Sequence, residues 1–170
     1  ILLSLVGSEM CIRDRNEING SASHPEGGFT ANNMDSNSYR KGLETRINYN
    51  INRYSDVSIS YDYVDSTQYN SSTENQQAEV RRPRNLININ YNNNFFNNLS
   101  INSNIFYSSK VKDTDFSSYP FQNVYMNSYF LFNTTLNYDV DSKNKVSLIF
   151  KNIFNREYNV VNDFNTPGFE

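Results

Sequence analysis

Apolar and polar side chains alternate strictly along much of residues 43–138, in stretches of about ten residues. In Leu43–Ile51 every odd position is apolar or β-branched, and every even position is charged or an amide. A β-strand points successive side chains to opposite faces, so each stretch predicts a strand with one apolar and one polar face. The connections between the stretches are alternately short and long, which is typical of the wall of a transmembrane β-barrel.

The polar average composition is compatible with such a wall. The hydrophobic content is 37% and the mean hydropathy is -0.70, values that a soluble or disordered chain would also give. Aromatic residues make up 15% of the chain, whereas disordered chains are poor in them. In a barrel wall only every second residue faces lipid, which lowers the average hydropathy. The 30 Asn residues are poor strand formers, and an AT-rich genome explains them as well as a polar lumen face does.

Several function classes find no support in the sequence. The net charge is -3 without a basic patch, so we expect no nucleic-acid partner. No apolar run approaches the roughly 18 residues of a transmembrane helix. No arrangement of Ser, His and acid suggests nucleophilic catalysis, and no Cys/His spacing suggests a metal site. We therefore expect no enzyme, no cofactor and no metal. From residue type alone, we expect the charged residues of the two long loops to be solvated: Glu74, Glu79, Arg81, Asp113 and Asp115.

The first 38 residues differ from the rest. Residues 1–15, ILLSLVGSEMCIRDR, resemble the translation of a sequencing adapter, and we expect them to be an artefact that should be left out of fold reasoning. Their Cys11 is the only cysteine, so a disulfide framework within the chain is excluded. Residues 16–38 are rich in Gly, Ser and Asn, which predicts a loop or an incomplete hairpin. The single His24 lies there and is expected to be solvated.

The remaining sequence predicts six antiparallel strands, over 39–53, 57–66, 83–92, 99–109, 128–139 and 145–155. The long loops 67–82, 110–127 and 156–170 would lie at one end of the sheet and the short turns at the other. A soluble antiparallel sandwich would also show alternation. Its strands average about 5–6 residues, however, and those predicted here are longer. The face predicted to contact lipid carries Leu43, Ile47, Tyr49, Ile59, Ile89, Ile101, Phe132 and Leu136.

Short motifs within 39–170 resemble the TonB-dependent outer-membrane receptors. Lys151–Tyr158 (KNIFNREY) with the later NTPG resembles their NLF-[DN]-x-x-Y … T-x-G signature, Gly42-Leu43-Glu44 resembles G-[VI]-E, and Arg82-Pro83 resembles R-P. The resemblance implies an all-β antiparallel meander from the C-terminal part of a 22-stranded transmembrane barrel. It also implies a Gram-negative outer membrane, with lipid, a large scarce ligand and TonB as partners. We expect a fragment of about six strands without the final strand, the plug or the TonB box.

Other segments resemble the cobalamin receptors of that family. Ser60–Asp65 (SYDYVD) resembles SYDYVDA, Arg81-Arg82 resembles RRA, and Asp113–Gln122 (DTDFSSYPFQ) resembles DKDYSSYPYQ. This resemblance implies cobalamin as the ligand and Arg81 and Phe116 as ligand-binding residues. Phe116 stands where those receptors have Tyr, so it keeps a ring for stacking but lacks the hydroxyl. Their calcium-binding carboxylates lie on earlier loops outside this sequence.

Three alternatives stay open at this point. The ligand could be a siderophore or another metal chelate instead of cobalamin. The chain could belong to a non-transporting structural or adhesive barrel, which the lack of a plug and TonB box in the parent gene would indicate. It could also be a soluble, secreted β-domain that binds surfaces, which solubility without detergent would indicate.

Overall fold

The structure, a computed structural model, describes residues 2–23, 29–70, 74–96, 98–117, 119–164, 166 and 168–170. This part of the chain contains ten strands and no helix. The strands are β1 (Leu2–Ser23), β2 (Phe29–Asn52), β3 (Ser55–Asn70), β4 (Asn75–Ala78), β5 (Asn85–Phe96), β6 (Leu99–Ser108), β7 (Val111–Asp115), β8 (Gln122–Met126), β9 (Tyr129–Asp139) and β10 (Lys145–Phe150). Among the described residues, none forms a helix long and apolar enough to cross a membrane.

The strands form one large antiparallel meander. The main sheet has the order β1-β2-β3-β5-β6-β9-β10, β4 pairs with the end of β3, and β7 and β8 form a separate hairpin. The connections after β2, β5 and β9 are short and lie at one end, which we call the short-turn end. At the other, long-loop end lie β4, the β7–β8 hairpin and residues 151–170. The predicted meander with alternating short and long connections is confirmed.

Cross-strand pairing arranges the apolar residues in continuous rows. One row crosses five strands and consists of Ile47, Ile59, Ile89, Ile105 and Phe132. The next residues along the strands form a row on the opposite face, which consists of Asn48, Ser58, Asn90, Asn104 and Asn133. Because directly paired residues point to the same side of a sheet, the predicted apolar and polar faces are confirmed.

The apolar face is not covered by a second layer. No apolar side chain is buried among the residues that the structure describes, and Ile59 and Ile105 in the middle of the apolar face remain 37% and 40% exposed. A sandwich would bury its two inner faces against each other as a core about 10 Å thick. The sandwich alternative is therefore wrong for this sheet. Its apolar face is large and continuous, as expected of a surface that contacts an apolar environment.

Residues 16–38, predicted as a loop or an incomplete hairpin, are paired antiparallel strands over their described part. Residues 16–23 belong to β1 and 29–38 to β2, and the pairing continues from Leu2 opposite Asn50 to Ser23 opposite Phe29. Pairing satisfies the backbone N–H and C=O groups of β2 whatever the side chains are, so a composition typical of loops does not prevent it. The proposed adapter origin of residues 1–15 stays a prediction, and His24 lies outside the described residues.

Smaller differences concern the long-loop end. The predicted loops 67–82 and 110–127 contain β4 and the β7–β8 hairpin, and the last strand ends at Phe150 instead of residue 155. Asn152 and Asn155 have φ of 49° and 47°, which is left-handed geometry that a strand cannot contain. The chain nevertheless stays attached to the sheet, because the Ile153 N–H donates to the Phe132 carbonyl at 2.9 Å.

Candidate functional site

The two predicted ligand-binding residues lie on neighbouring connections of the long-loop end. Arg81 lies between β4 and β5, and Phe116 follows directly after β7. The Arg81 N–H donates to the Lys112 carbonyl at 2.7 Å, and Arg81 Nε donates to Asp113 Oδ1 at 2.9 Å. Both bonds end on β7. These two hydrogen bonds attach the β4–β5 connection, which carries Arg81, to β7, the strand directly before Phe116.

Asp113 is the most deeply buried polar side chain at this end, with 1% of its surface exposed. Besides Arg81 it accepts hydrogen bonds from the backbone N–H of Thr114 and of Asn162, each at 2.8 Å. Burial raises the pKa of Asp113, but the hydrogen bonds from Asn162 and Thr114, together with the Arg81 guanidinium, outweigh it and hold the pKa below its usual value. The expectation of a solvated loop residue is wrong, because β8 and the C-terminal segment close around this carboxylate.

Glu79 is a second buried carboxylate that was expected to be solvated. It is 5% exposed, and it accepts hydrogen bonds from Arg40 Nη2 at 2.7 Å and Arg40 Nε at 3.0 Å. Arg82 Nε lies 2.6 Å from the other carboxylate oxygen. Two guanidinium groups on one carboxylate leave an excess positive charge. Glu79 is buried because the side chain of Arg40, on β2, reaches the connection after β4 and contacts it there.

A cavity of about 430 Å³ opens beside Glu79, and neither Asp113, Arg81 nor Phe116 is among its lining residues. Its charged lining residues are Arg82, Arg84, Lys110, Lys112, Asp65 and Glu79. Four cationic side chains thus face two acidic ones, so the lining has an excess of two positive charges. Lys110 Nζ also lies 4.3 Å above the centre of the Tyr125 ring, which borders the same cavity. Such a lining favours an anionic ligand that also offers apolar or aromatic surface.

Three aromatic rings cluster just beyond β7. Phe116 and Phe121 meet edge to face with ring centres 5.1 Å apart, and Tyr119 meets Phe121 in the same way at 5.7 Å. Phe116 is 62% exposed and Tyr119 is 88% exposed. Large exposed rings on a hairpin are suited to stacking on a planar or apolar ligand. We call these three residues the hairpin aromatic cluster.

The C-terminal motif folds into a hydrogen-bonded turn. The Asn152 side chain accepts from the Arg156 N–H at 2.8 Å and donates to the Arg156 carbonyl at 3.0 Å. Asn155 Oδ1 accepts from the Phe169 N–H at 3.1 Å, and the Thr166 hydroxyl donates to the Tyr158 carbonyl. A Cβ atom on Gly168 would lie only 2.6 Å from Asn155 Oδ1. The motif residues therefore shape residues 151–170 and hold them against the sheet.

Asparagine amides form a network on the polar face, and sequence reasoning did not find it. Asn104 Nδ2 donates to Asn88 Oδ1 at 2.5 Å and to Asn90 Oδ1 at 2.8 Å. Asn104 Oδ1 accepts from Asn133 Nδ2 at 3.3 Å, and Asn133 Oδ1 accepts from the Asn152 N–H at 2.9 Å. This amide network connects β5, β6 and β9 to the C-terminal turn. Among the described residues, no group of three or more acidic, His or Cys side chains is placed to hold a metal ion.

Comparison with known proteins shows where this fold occurs. No family model matches the chain, and no curated protein matches it significantly. The siderophore receptor PiuA from Acinetobacter baumannii superposes with a TM-score of 0.70, at 17% identity over 98% of this chain and 25% of that one. The chain has the fold of the barrel wall of such receptors.

Two further solved structures agree. The ferripyoverdine receptor of the outer membrane of Pseudomonas aeruginosa gives a TM-score of 0.69 at 13% identity, over 95% of this chain and 23% of that one. The ferric-catecholate import receptor Fiu from E. coli K12 gives 0.69 at 14% identity, over 91% and 21%. The chain spans about a quarter of the length of these receptors.

Proposed function

We propose that this chain is part of the barrel wall of a TonB-dependent receptor that takes up an anionic metal chelate, such as a ferric siderophore, across a Gram-negative outer membrane. The observation that carries the proposal is the cation-lined cavity at the long-loop end of a sheet with a barrel-wall fold. The apolar face would contact outer-membrane lipid, and the long-loop end would face outwards. TonB would act through a plug and box elsewhere in the parent protein, which would be a transporter without enzymatic activity.

The charge of the cavity favours a ferric chelate over cobalamin. A ferric tricatecholate is anionic, because three doubly ionised catecholates outweigh one Fe³⁺, whereas cyanocobalamin is neutral overall. The excess of positive charge in the cavity would attract the former and give the latter little advantage. The names of the similar solved structures point in the same direction, since they are receptors for siderophores and ferric chelates.

A binding assay on the complete gene product that carries this chain tests the proposal. Cells that lack their own chelate receptors would express it and be offered ⁵⁵Fe-labelled ferric tricatecholate, ⁵⁵Fe-labelled ferripyoverdine or ⁵⁷Co-labelled cyanocobalamin. We expect saturable binding of at least one ferric chelate. Saturable binding of cyanocobalamin alone would mean that the ligand is cobalamin and not a ferric chelate. Binding of none of the three would contradict the proposal.

Arg81→Ala tests the predicted ligand contact of Arg81, which lies at the long-loop end outside the lining of the cavity. Truncating a ligand-contacting residue typically costs more than 1 kcal/mol, so the variant should bind the ferric chelate about tenfold more weakly. The matched control is Arg53→Ala, which removes an exposed Arg at the short-turn end and should leave affinity unchanged. Equal affinities of all three proteins would remove Arg81 from the site.

Cobalamin is the second candidate, and the hairpin aromatic cluster favours it. The cluster lies within the segment that resembles the cobalamin receptors, and its exposed rings suit a large planar ring system. Phe116→Tyr restores the hydroxyl that those receptors carry. If cobalamin is the ligand, the substitution should tighten cyanocobalamin binding. If the ligand is a ferric chelate, the substitution should leave binding of that chelate unchanged or weaken it.

A further inference from the structure

Asp113 connects three segments that are far apart in the sequence. Its Oδ1 atom accepts from Arg81 Nε at 2.9 Å and from the Thr114 N–H at 2.8 Å, while its Oδ2 atom accepts from the Asn162 N–H at 2.8 Å. These donors belong to the connection before β5, to β7 itself and to the C-terminal segment. Both oxygens of one buried carboxylate are thus engaged, each with a donor from another segment.

Arg81 is held in an uncommon backbone conformation. Its φ is 58°, in the left-handed region that non-glycine residues adopt rarely and at an energetic cost. Such a conformation persists only where surrounding contacts fix it. Here the Arg81 N–H bonds to the Lys112 carbonyl and the side chain bonds to Asp113, so β7 supplies both contacts. The side chain still has 47% of its surface exposed, which leaves it accessible to a ligand.

We propose that Asp113 is a positioning residue for ligand binding, which fixes Arg81 relative to the C-terminal segment so that the long-loop end meets the ligand as one unit. This inference rests on the proposed function, because Arg81 is taken as a ligand contact. Only a carboxylate offers two acceptor oxygens, so that each can accept hydrogen bonds from a different segment. An amide of the same shape has one acceptor oxygen, and its NH₂ group would face one of the donors.

The coupling can be measured without a ligand. Nitroxide labels would be attached to cysteines at Asn123 and Val160, two exposed positions on β8 and on the C-terminal segment, in the complete gene product with its other cysteines replaced. Double electron–electron resonance would then give the distance distribution between them. Asp113→Asn should broaden it, because one of the three donors loses its acceptor. The matched control Asp115→Asn, two residues along the same strand, should not.

Ligand affinity tests whether Asp113 acts through Arg81. With the labelled ferric tricatecholate or ferripyoverdine that the wild type binds, Asp113→Asn and Arg81→Ala should each weaken binding about tenfold. The double variant should also lose about tenfold, because the same contact is lost only once. A hundredfold loss in the double variant would overturn the positioning role, since it would mean that the two residues act independently.

The distance distribution and the ligand affinity together distinguish a failure of this inference from a failure of the proposed function. If Asp113→Asn changes neither the distance distribution nor the affinity, the inference is overturned while the proposed function stands. If the wild type binds none of the labelled probes, the proposed function fails and the positioning role fails with it. In that case the distance distributions would still show whether Asp113 couples the two segments.

Discussion

Asparagine occupies positions in this chain where the backbone leaves strand geometry. Asn152 and Asn155 adopt left-handed φ values, and Asp163 does the same with a φ of 64°. Short polar side chains tolerate this region better than others because they form hydrogen bonds with the nearby backbone. Asn152 does so with both amide atoms. A part of the high asparagine content therefore has a structural cause that is independent of codon usage.

Replacement of Asn152 should separate backbone strain from hydrogen bonding. Asn152→Ala loses both side-chain hydrogen bonds to Arg156 and forces Ala into left-handed geometry, so we expect a loss of roughly 1–3 kcal/mol in the stability of the C-terminal turn. Asn152→Gly loses the hydrogen bonds alone and should lose less. The rate of trypsin cleavage after Arg156 reports the opening of this turn. Equal rates for the two variants would contradict a role for the left-handed backbone.

Two neighbouring residues of β2 test the assignment of faces. Ile47 lies in the five-strand apolar row and Asn48 in the row on the opposite face. If Ile47 lies near the middle of the membrane, Ile47→Arg should destabilise the parent barrel by roughly 2–4 kcal/mol. Asn48→Arg should cost much less, because it points to the polar side. Unfolding of the complete gene product in lipid vesicles gives both free energies, and similar values would refute the assignment.

At the scale of strands, the amide network adds side-chain bonds to the backbone ladder. Asn104 on β6 contributes most, since it contacts Asn88 and Asn90 on β5 and Asn133 on β9. Adjacent strands are therefore joined through their polar faces as well as through their backbones. The amides of the network lie on the face opposite the apolar row, and Ser103 and Thr134 on the apolar side hydrogen-bond each other at 2.9 Å.

Asn104→Ala should weaken this part of the sheet. The substitution removes three side-chain hydrogen bonds worth roughly 0.5–1.5 kcal/mol each, and the freed amides can partly turn to water, so we expect a loss of about 1–3 kcal/mol. Asn102→Ala on the same strand and the same face is the control. Its exposed side chain should contribute less than about 0.5 kcal/mol. If the two variants unfold at the same denaturant concentration, the network does not stabilise the sheet.

The six long strands could be predicted from the sequence because each has its own alternation. The sequence predicts β5 and β6 over 83–92 and 99–109, and they span Asn85–Phe96 and Leu99–Ser108. β4, with the sequence NQQA, has no apolar face and pairs only because β3 extends beside it. The burial of Asp113 depends on partners 32 and 49 residues away, and no local pattern records such contacts.

At the scale of the whole molecule, the two ends of the sheet differ in chemistry. The long-loop end carries the buried carboxylates, the cation-lined cavity and the hairpin aromatic cluster. Between it and the short-turn end, the polar faces of β5, β6 and β9 carry Asn88, Asn90, Asn102, Asn104 and Asn133, whereas that of β2 carries Glu44 and Arg46. The long-loop end is therefore where the excess positive charge of the cavity lies beside the exposed Tyr125 ring. We expect the organisation of that end to depend on the ionised state of Asp113, because its two oxygens accept from Arg81, Thr114 and Asn162.

Acid should loosen the long-loop end at low pH. The pKa of Asp113 in the folded state lies below its ordinary value of 3.8, so its charged form stabilises the docked arrangement above about that pH. This contribution is lost as the pH falls through the lower, folded-state pKa. Arg81 stays charged throughout, so protonation of Asp113 is what breaks their ion pair.

The same pair of nitroxide labels measures this effect between pH 7 and pH 2.5. The distance distribution should stay narrow down to about pH 4 and broaden below it. Asp113→Asn should be broad at every pH, and Asp115→Asn should follow the wild type. A distribution that does not change with pH in the wild type would contradict the prediction.

The five-strand apolar row also limits where residues can be inserted into or deleted from such a chain. It consists of Ile47, Ile59, Ile89, Ile105 and Phe132. Inserting or deleting one residue within β5 or β6 would turn every residue beyond it to the other face. Amides such as Asn90 would then enter the apolar surface, where unpaired polar groups are costly. Single-residue length changes can therefore accumulate in the connections of the long-loop end, while the strands between them can vary only by substitution.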